Sequence, residues 1–461
     1  MEKKIHISPY LSVLLSFFII IMVGSFLLVC PFCQASGNWG SYIDTLLVAT
    51  SATCVTGLCS LENGIGGDLN FAGQLIVLIM IQIGGLGFIT LLGFIMSFLK
   101  RKIDYKERYF FSQAVNADSI AHVSSFIRKV ILVSLIIELI GFLLGLPVYL
   151  TMPNMRVDEA IWASIFTSIS SFNNAGFDIF GATSLIRGAG NTFIDSMPTW
   201  AYYYLCSYIM LLIILGGLSF PVIIEIFSFK KKPKQYRSFT KVVLLMTLCL
   251  LVFGFLLLWL TEGINNPNFG PFEALFQSVT CRTAGYVITP QGELSTAGKA
   301  ISCLLMFIGG SPLSTAGGIK TVTFFVIVLG ICKYLAGKKV TAFNRKYSQT
   351  TILKAMAVTF IAIFVVVIGF VLISLFEKSN TRIDGQTRGE FIIYEVFSAF
   401  GTVGVTAGIT PYLTIGSKLI LCLIMFIGRL GPITLFQVFT NALTKKHDDH
   451  FDYVEEEISI G

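Results

Sequence analysis

FEALFQSVTCRTAGY, residues 272–286, carries an apolar stretch into Thr, Arg, Thr and Gly, in a chain that is 54% hydrophobic. The apolar part is too short to cross a bilayer, which takes about 20 helical residues. Lipid would not tolerate the bare polar segment that follows. The stretch therefore reads as a short helix that enters the membrane part-way and stops in a non-helical loop. Such a loop survives at membrane depth only where protein buries it or water reaches it.

Three other stretches have the same form: YIDTLLVATSATCVTGL (42–58), DEAIWASIFTSISSFNNAGF (158–177) and FIIYEVFSAFGTVGV (391–405). Aligned on Gly57, Gly176, Gly285 and Gly404, the four are separated by 119, 109 and 119 residues, and Leu58, Phe177, Tyr286 or Val405 follows the glycine. A second signature comes after each one: IGGLG (83–87), LGGLS (215–219), IGGSP (308–312) and IGRLG (427–431). The first glycine of that signature lies 27, 40, 24 and 24 residues beyond the aligned glycine, and the polar insertion 181–200 accounts for the long second interval. Two signals in one order, four times, are a repeat.

Each repeat reads as outer helix, short re-entrant helix, glycine segment, inner helix. The outer helices are expected near 11–32, 125–150, 240–261 and 350–376, and the inner ones near 70–99, 200–229, 298–335 and 416–443. The repeats occupy 1–100, 101–230, 231–340 and 341–445, with a tail over 446–461. The fold class is thus an all-α polytopic membrane protein, with four repeats, eight transmembrane helices and four re-entrant pore helices around a pseudo-fourfold pore. Two crossings per repeat keep the repeats parallel, unlike the inverted repeats of many carriers.

Charge supports this layout. Only 13% of residues are charged, and the net charge of +7 is unevenly placed. Lys and Arg gather at 3–4, 100–108, 128–129, 230–241, 333–354 and 445–446, which hold 23 of the 33; another 7 lie in the alternate loops and 3 at membrane depth. This is the positive-inside pattern, so both termini are expected in the cytoplasm and the lipid bilayer, not nucleic acid, is the partner of these charges. The basic flank MEKK resembles that of a signal peptide, but the apolar run behind it has full membrane length and reads as a first helix.

Four glycine segments around one axis imply a shared aqueous path. Glycine adopts backbone angles that turn carbonyls inward, and a carbonyl ring can replace the hydration shell of a monovalent cation. The short helices would present their partly negative C-terminal ends to it. No Asp or Glu lies in the segments, which argues against a carboxylate ring.

TCVTGL, SSFNNAGF, TCRTAGY and FGTVGV resemble the selectivity-filter loops of the Trk/Ktr/HKT superfamily of potassium transporters. IGGSPLSTAGGIKT (308–321) and IGRLGPITL (427–435) are similar to its intramembrane loop and fourth inner helix. The match covers nearly the whole chain and is nearest the KtrB-type membrane subunit, since the extra N-terminal helix pair of the Trk branch has no room here. The resemblance implies potassium as the transported ion and a filter of Val55, Thr56, Gly57, Asn174, Ala175, Gly176, Thr283, Ala284, Gly285, Thr402, Val403 and Gly404. A glycine at 57, where sodium-carrying plant members have serine, favours potassium. The resemblance also implies a homodimer and a cytoplasmic ring of nucleotide-binding, KtrA-type regulatory subunits, for which the basic loops 230–241 and 333–347 are candidate docking sites. Sodium coupling stays open.

Two features suggest a gate. Arg429 stands where the other repeats have Gly85, Gly217 and Gly310, about 20 Å down its helix at 1.5 Å per residue. It either snorkels to the inner interface or faces the path below the filter, and the resemblance favours the latter. The loop 309–319, with Gly309, Gly310, Ser311, Ser314, Thr315, Gly317 and Gly318 and closed by Lys320, is either a tolerated kink or a mobile plug. Asn173 and Arg282 precede filter glycines and are expected to brace the filter from behind. Glu138 and Glu225 are expected to be paired or interfacial. His447 and His450 have a metal-compatible spacing but lie in a polar tail. The ten cysteines read as small packing residues, and the pairing of Cys54 with Cys59 is left open.

Rival readings are weaker. A sodium or unselective monovalent cation transporter of the same fold shares every motif. A proton-coupled carrier would want carboxylates at the midplane, and an intramembrane enzyme would want HExxH, GxSxG or paired aspartates. There is no P-loop and no GxGxxG after a strand, so nucleotide control would have to come from a separate chain.

Overall fold

The computed structural model describes residues 9–87, 123–153, 155–181, 184–190, 192–228, 235–266, 269–378 and 388–431. The basic segment 100–108, the tail with His447 and His450, and the expected inner-helix ends beyond 87 and 431 lie outside these residues. Among the described residues helices dominate, with one two-stranded ribbon (Thr341–Ala342 against Arg345–Lys346) in the basic segment 333–347.

The outer helices are α1 (Pro9–Val29), α4 (Val123–Leu150), α8 (Ser238–Asn265) and α12 (Gln349–Phe376). All four are long and apolar enough to cross a membrane, and α6 (Thr199–Gly217) joins them. The short helices are α2 (Tyr42–Cys54), α5 (Val157–Phe172), α9 (Pro271–Thr280) and α13 (Arg388–Gly401). Each packs against the outer helix that precedes it. Small residues allow this: Gly141 lies against the Ser168 hydroxyl, and Ser168 donates to the Glu138 carbonyl at 2.6 Å. In the same way Gly254 faces Ser278, which donates to the Leu251 carbonyl at 2.8 Å. Close backbone approach and hydroxyl bonds of this kind take over where lipid supplies no hydrophobic drive between helices.

The inner helices begin at well-made caps. The Asn70 side chain accepts from the Ala72 and Gly73 amides at 3.0 and 3.2 Å and starts α3 (Phe71–Leu86). Ser295 accepts from Gly298 at 3.0 Å and starts α10 (Thr296–Phe307). Carboxylates from the ends of outer helices hold two of these starts. Glu262 binds Ser295, and Glu377 accepts from the Thr414 amide at 2.9 Å at the start of α14 (Ile415–Leu430).

The inner helices expected near 70–99, 200–229 and 416–443 do not run unbroken. α3 ends at Leu86 and α14 at Leu430, each followed by a glycine with positive φ, +77° at Gly87 and +83° at Gly431. α6 ends at Gly217, and α7 (Phe220–Phe227) restarts after Leu218 and Ser219, with Pro221 in its first turn. Proline has no amide hydrogen to continue a helix ladder, so it suits a restart. α10 gives way to an irregular segment, 308–320, before α11 (Thr321–Leu335). The breaks fall beside the glycine pairs 84–85, 216–217 and 309–310 and beside Gly428-Arg429, where the sequence shows only a motif. All ten cysteines are free, Cys54 and Cys59 among them.

Candidate functional site

The four aligned glycines meet. A side-chain carbon on Gly57 would stand 2.6 Å from the Ala175 carbonyl oxygen, and one on Gly285 would stand 2.6 Å from that of Val403. Gly176 faces the Ala284 carbonyl and Gly404 the Thr56 carbonyl in the same manner. The order is cyclic, from first to second to third to fourth and back to first. Carbonyls of Thr56, Ala175, Ala284 and Val403 therefore alternate with the glycines around a closed ring.

The backbone is set alike in each segment. Val55, Asn174, Thr283 and Thr402, each two residues before the glycine, have φ of 55°, 58°, 72° and 49°. The glycines follow at 102°, 70°, 83° and 92°. A non-glycine residue in this region costs about 1–2 kcal/mol, so four in register must be held by their surroundings. Buried hydroxyls do so. The Gly57 amide donates to Ser51 at 2.9 Å and the Gly404 amide to Ser398 at 3.1 Å. Ser170 donates to the Phe177 carbonyl and Thr280 to the Tyr286 carbonyl, both at 2.6 Å. Tyr286 is fully buried, and its hydroxyl donates to the Phe177 carbonyl at 3.2 Å, tying the third segment to the second.

Inner-helix glycines bring those helices against the ring. Gly84 lies on the Thr53 carbonyl, Gly216 on that of Phe172 and Gly428 on that of Phe400, each four residues before a ring glycine. The third unit departs from the pattern, because its segment 308–320 leaves the helix and crosses toward its neighbours.

This loop is tied to the second and fourth units. Ser311 donates its amide to Gly217 at 3.1 Å, the Thr315 hydroxyl donates to Gly216 at 2.9 Å, and the Phe220 amide donates to Leu313 at 3.0 Å. Gly317 packs on the Thr402 side chain with no room for a side chain of its own, and Gly318 (φ 63°) lies beside Gly401. Arg429 donates to the Thr315 carbonyl and, through its other terminal nitrogen, to the carbonyls of Gly84 and Gly85, the last at 3.3 Å. One guanidinium thus joins the first unit, the loop and the fourth unit. Lys320 folds back and donates to the Ala316 carbonyl at 2.6 Å. Ser314 donates to the Ser311 carbonyl at 2.7 Å, and the Thr321 amide donates to Gly310 at 3.0 Å, which fixes the loop internally.

Behind the ring, Arg282 is buried and points away from it, donating to the carbonyls of Thr247 on α8 and Gly309 at 3.3 and 3.4 Å. Asn173 holds the corresponding place in the second unit. It donates to Glu138 at 3.1 Å and to Gln82 at 2.9 Å, while Gln82 donates to Glu138 at 2.9 Å. Asn174 turns its amide to the Ser171 and Ile213 carbonyls, each at 3.1 Å. Glu225 lies apart from the ring and accepts from Thr240 at 2.5 Å.

The family model for TrkH, a cation transport protein, matches residues 16–446. The chain belongs to the TrkH family. Among its relatives are the potassium/sodium uptake protein NtpJ of Enterococcus hirae, 35% identical over all of this chain and 99% of that one. The Ktr system potassium uptake protein B of Bacillus subtilis is 34% identical over all of this chain and 98% of its own. The crystal structure of the potassium transporter TrkH from Vibrio parahaemolyticus shares the fold, with a TM-score of 0.71, 19% identity, and coverage of 96% of this chain and 88% of that one. This TrkH-family member is therefore a helical, membrane-integral protein.

Several residues that hold the site in this TrkH-family chain escape a reading of the sequence. Gln82 sits among apolar neighbours with nothing to mark its partner. Lys418 and Asp44 pair at 2.7 Å across 374 positions, joining the last unit to the first. Glu395 accepts from Thr406 and, at 3.0 Å, from Thr410, holding the segment after Gly404. One signal was available: a serine six residues before the glycine recurs at Ser51, Ser170 and Ser398.

Proposed function

We propose that this protein takes up potassium across the cytoplasmic membrane through the ring of glycine segments. The observation that carries the reading is the cyclic contact of Gly57, Gly176, Gly285 and Gly404 with carbonyls of the next segment. In the working arrangement four repeats surround one pore, eight helices cross the bilayer, and both termini lie in the cytoplasm. Carbonyls of Val55, Thr56, Asn174, Ala175, Thr283, Ala284, Thr402 and Val403 and of the four glycines take the place of a potassium ion's water. Pore-helix C-terminal ends add negative potential. The names of the Enterococcus and Bacillus relatives support potassium as the ion.

The loop 308–320 and Arg429 form the gate. The loop is held by carbonyl and hydroxyl bonds that can be exchanged for water, and its glycines permit a second conformation. Arg429 adds a positive charge on the path of a cation. Two copies assemble, and a nucleotide-binding subunit of the KtrA type docks on the basic segments 230–241 and 333–347 and moves the gate. A second reading, transport of sodium or of both ions, rests on the name of the Enterococcus relative.

The deciding experiment is rescue of a bacterium that lacks its own potassium uptake, with rubidium tracer flux measured against sodium competition. Growth at low potassium and rubidium uptake that sodium does not displace are expected. Equal displacement by sodium favours the second reading, and failure of both ions to enter refutes the transport assignment.

A further inference from the structure

Away from the ring, a groove of about 500 Å³ opens between α10, α12 and α13. Its walls are apolar: Cys303 and Leu304 on α10, Val366 and Phe370 on α12, and Ile393 and Phe397 on α13. Leu304 is 52% exposed, so the groove faces outward at membrane depth. One end is charged. Lys299, only 7% exposed, lies 3.6 Å from Glu390 and 4.7 Å from the centre of the Phe391 ring. Thr296 donates to Glu390 at 3.0 Å. The other end closes on Phe307, the last residue of α10 before the crossing loop, whose ring is 5.8 Å from those of both Phe397 and Phe400.

We propose that this groove is a binding site for one zwitterionic phospholipid, from the leaflet at the filter mouth, whose acyl chain bears on Phe307. Three observations select this occupant. The lining is hydrocarbon-like along its length, with both charges confined to one end. α10 has 12 residues, so the groove runs about 18 Å at 1.5 Å per residue, near half of the roughly 30 Å hydrocarbon core and so one acyl chain deep. The charged end offers a cation and a carboxylate side by side, which complements a phosphate beside an ammonium. Lys299 takes the phosphate, and Glu390, the more exposed partner, takes the ammonium.

The chain end then packs on the residue from which the loop 308–320 springs. A filled groove fixes Phe307 against Phe397 and Phe400, and an empty one leaves it free to move with the loop. This consequence rests on the proposed gate, whereas occupancy of the groove does not.

The test uses the full chain in nanodiscs of phosphatidylethanolamine carrying a diazirine at the acyl terminus. Labelling should concentrate on peptides holding Phe307 and Phe397, and Ala300→Trp should remove it. That substitution blocks lipid entry at the exposed edge, about 10 Å along the helix from Phe307, and leaves the space beside that ring empty. Glu390→Gln should lower the preference for phosphatidylethanolamine over phosphatidylglycerol in this label about tenfold, as loss of the charge-assisted contact to the ammonium predicts. Labelling spread evenly over the lipid-facing helices, or unchanged in Ala300→Trp, overturns the site. So does cross-linking of two copies through Ala300→Cys, which would place a second subunit in the groove. In proteoliposomes, Ala300→Trp should at least double rubidium flux, and unchanged flux overturns the action on the loop. Labelling without rubidium flux in any variant would refute potassium transport and leave the lipid site standing.

Discussion

Arg282 donates to the carbonyl of Gly309 at 3.4 Å, so a side chain three residues before the ring glycine Gly285 holds the first glycine of the crossing loop. The same guanidinium reaches Thr247 on the outer helix of its unit. The backing of the ring and the crossing loop are therefore one connected structure.

Gly57 has no room for a side chain in the ring: its φ is 102°, and the Ala175 carbonyl lies 2.6 Å from an added carbon. Strain of about 1–2 kcal/mol in Gly57→Ser corresponds to about a tenfold loss in preference for potassium over sodium. Competition between rubidium and sodium tracers would measure it. Retained selectivity would remove the carbonyl-ring assignment.

Arg429→Ala breaks the link between Thr315 and Gly84, and deletion of 311–317 removes the loop segment it holds. Both should raise rubidium flux, the deletion more. Arg429→Lys should lie between Ala and wild type, because an ammonium on one stem does not reproduce a forked guanidinium. Wild-type flux in both Ala and deletion variants would refute the gate.

Glu138 is 6% exposed and satisfies two amides, those of Gln82 and Asn173. Replacement by Leu strands the Gln82 amide at about 1–3 kcal/mol, while Asn173 keeps the Gln82 and Ile169 oxygens as acceptors. Gln in place of Glu138 keeps an acceptor for both. Thermal unfolding in detergent should show a clearly lower Tm for Glu138→Leu and a small change for Glu138→Gln. Equal Tm values in the two variants would mean that the cluster does not brace the filter.

The Lys418–Asp44 pair joins the last unit to the first, with side chains 9% and 22% exposed. Lys418→Met leaves a largely buried carboxylate without its cation, at a cost of about 3–5 kcal/mol for a fully buried pair and less here, where water screens part of Asp44. Adding Asp44→Asn should recover most of the loss. The double variant's Tm against the two single ones is the measurement. Strict additivity would show that the pair does not close the ring.

Element type, order and the repeat were legible because hydrophobic length and local punctuation are properties of neighbouring residues. The outer helices lie within a few residues of the stretches that read as apolar spans, and the short helices end where the polar glycine segments begin. Positions 55, 174, 283 and 402 were reachable in the same way, through alignment on the glycines. The inner-helix breaks were less so. IGGLG and IGRLG show small residues, but whether a helix stops there depends on the backbone packed against it, here the carbonyls of Thr53 and Phe400.

What the sequence alone determined is a membrane-bound helical chain with four glycine segments at equivalent places, since burial in lipid demands long apolar helices and forbids bare backbone elsewhere. Only the tertiary structure decided which carbonyl meets which glycine, that Arg282 turns away from the ring while Arg429 crosses to Gly84, and that Asp44 finds Lys418. Those pairings join groups up to 374 residues apart. No local propensity encodes such a distance. It is fixed when the four units close on one another.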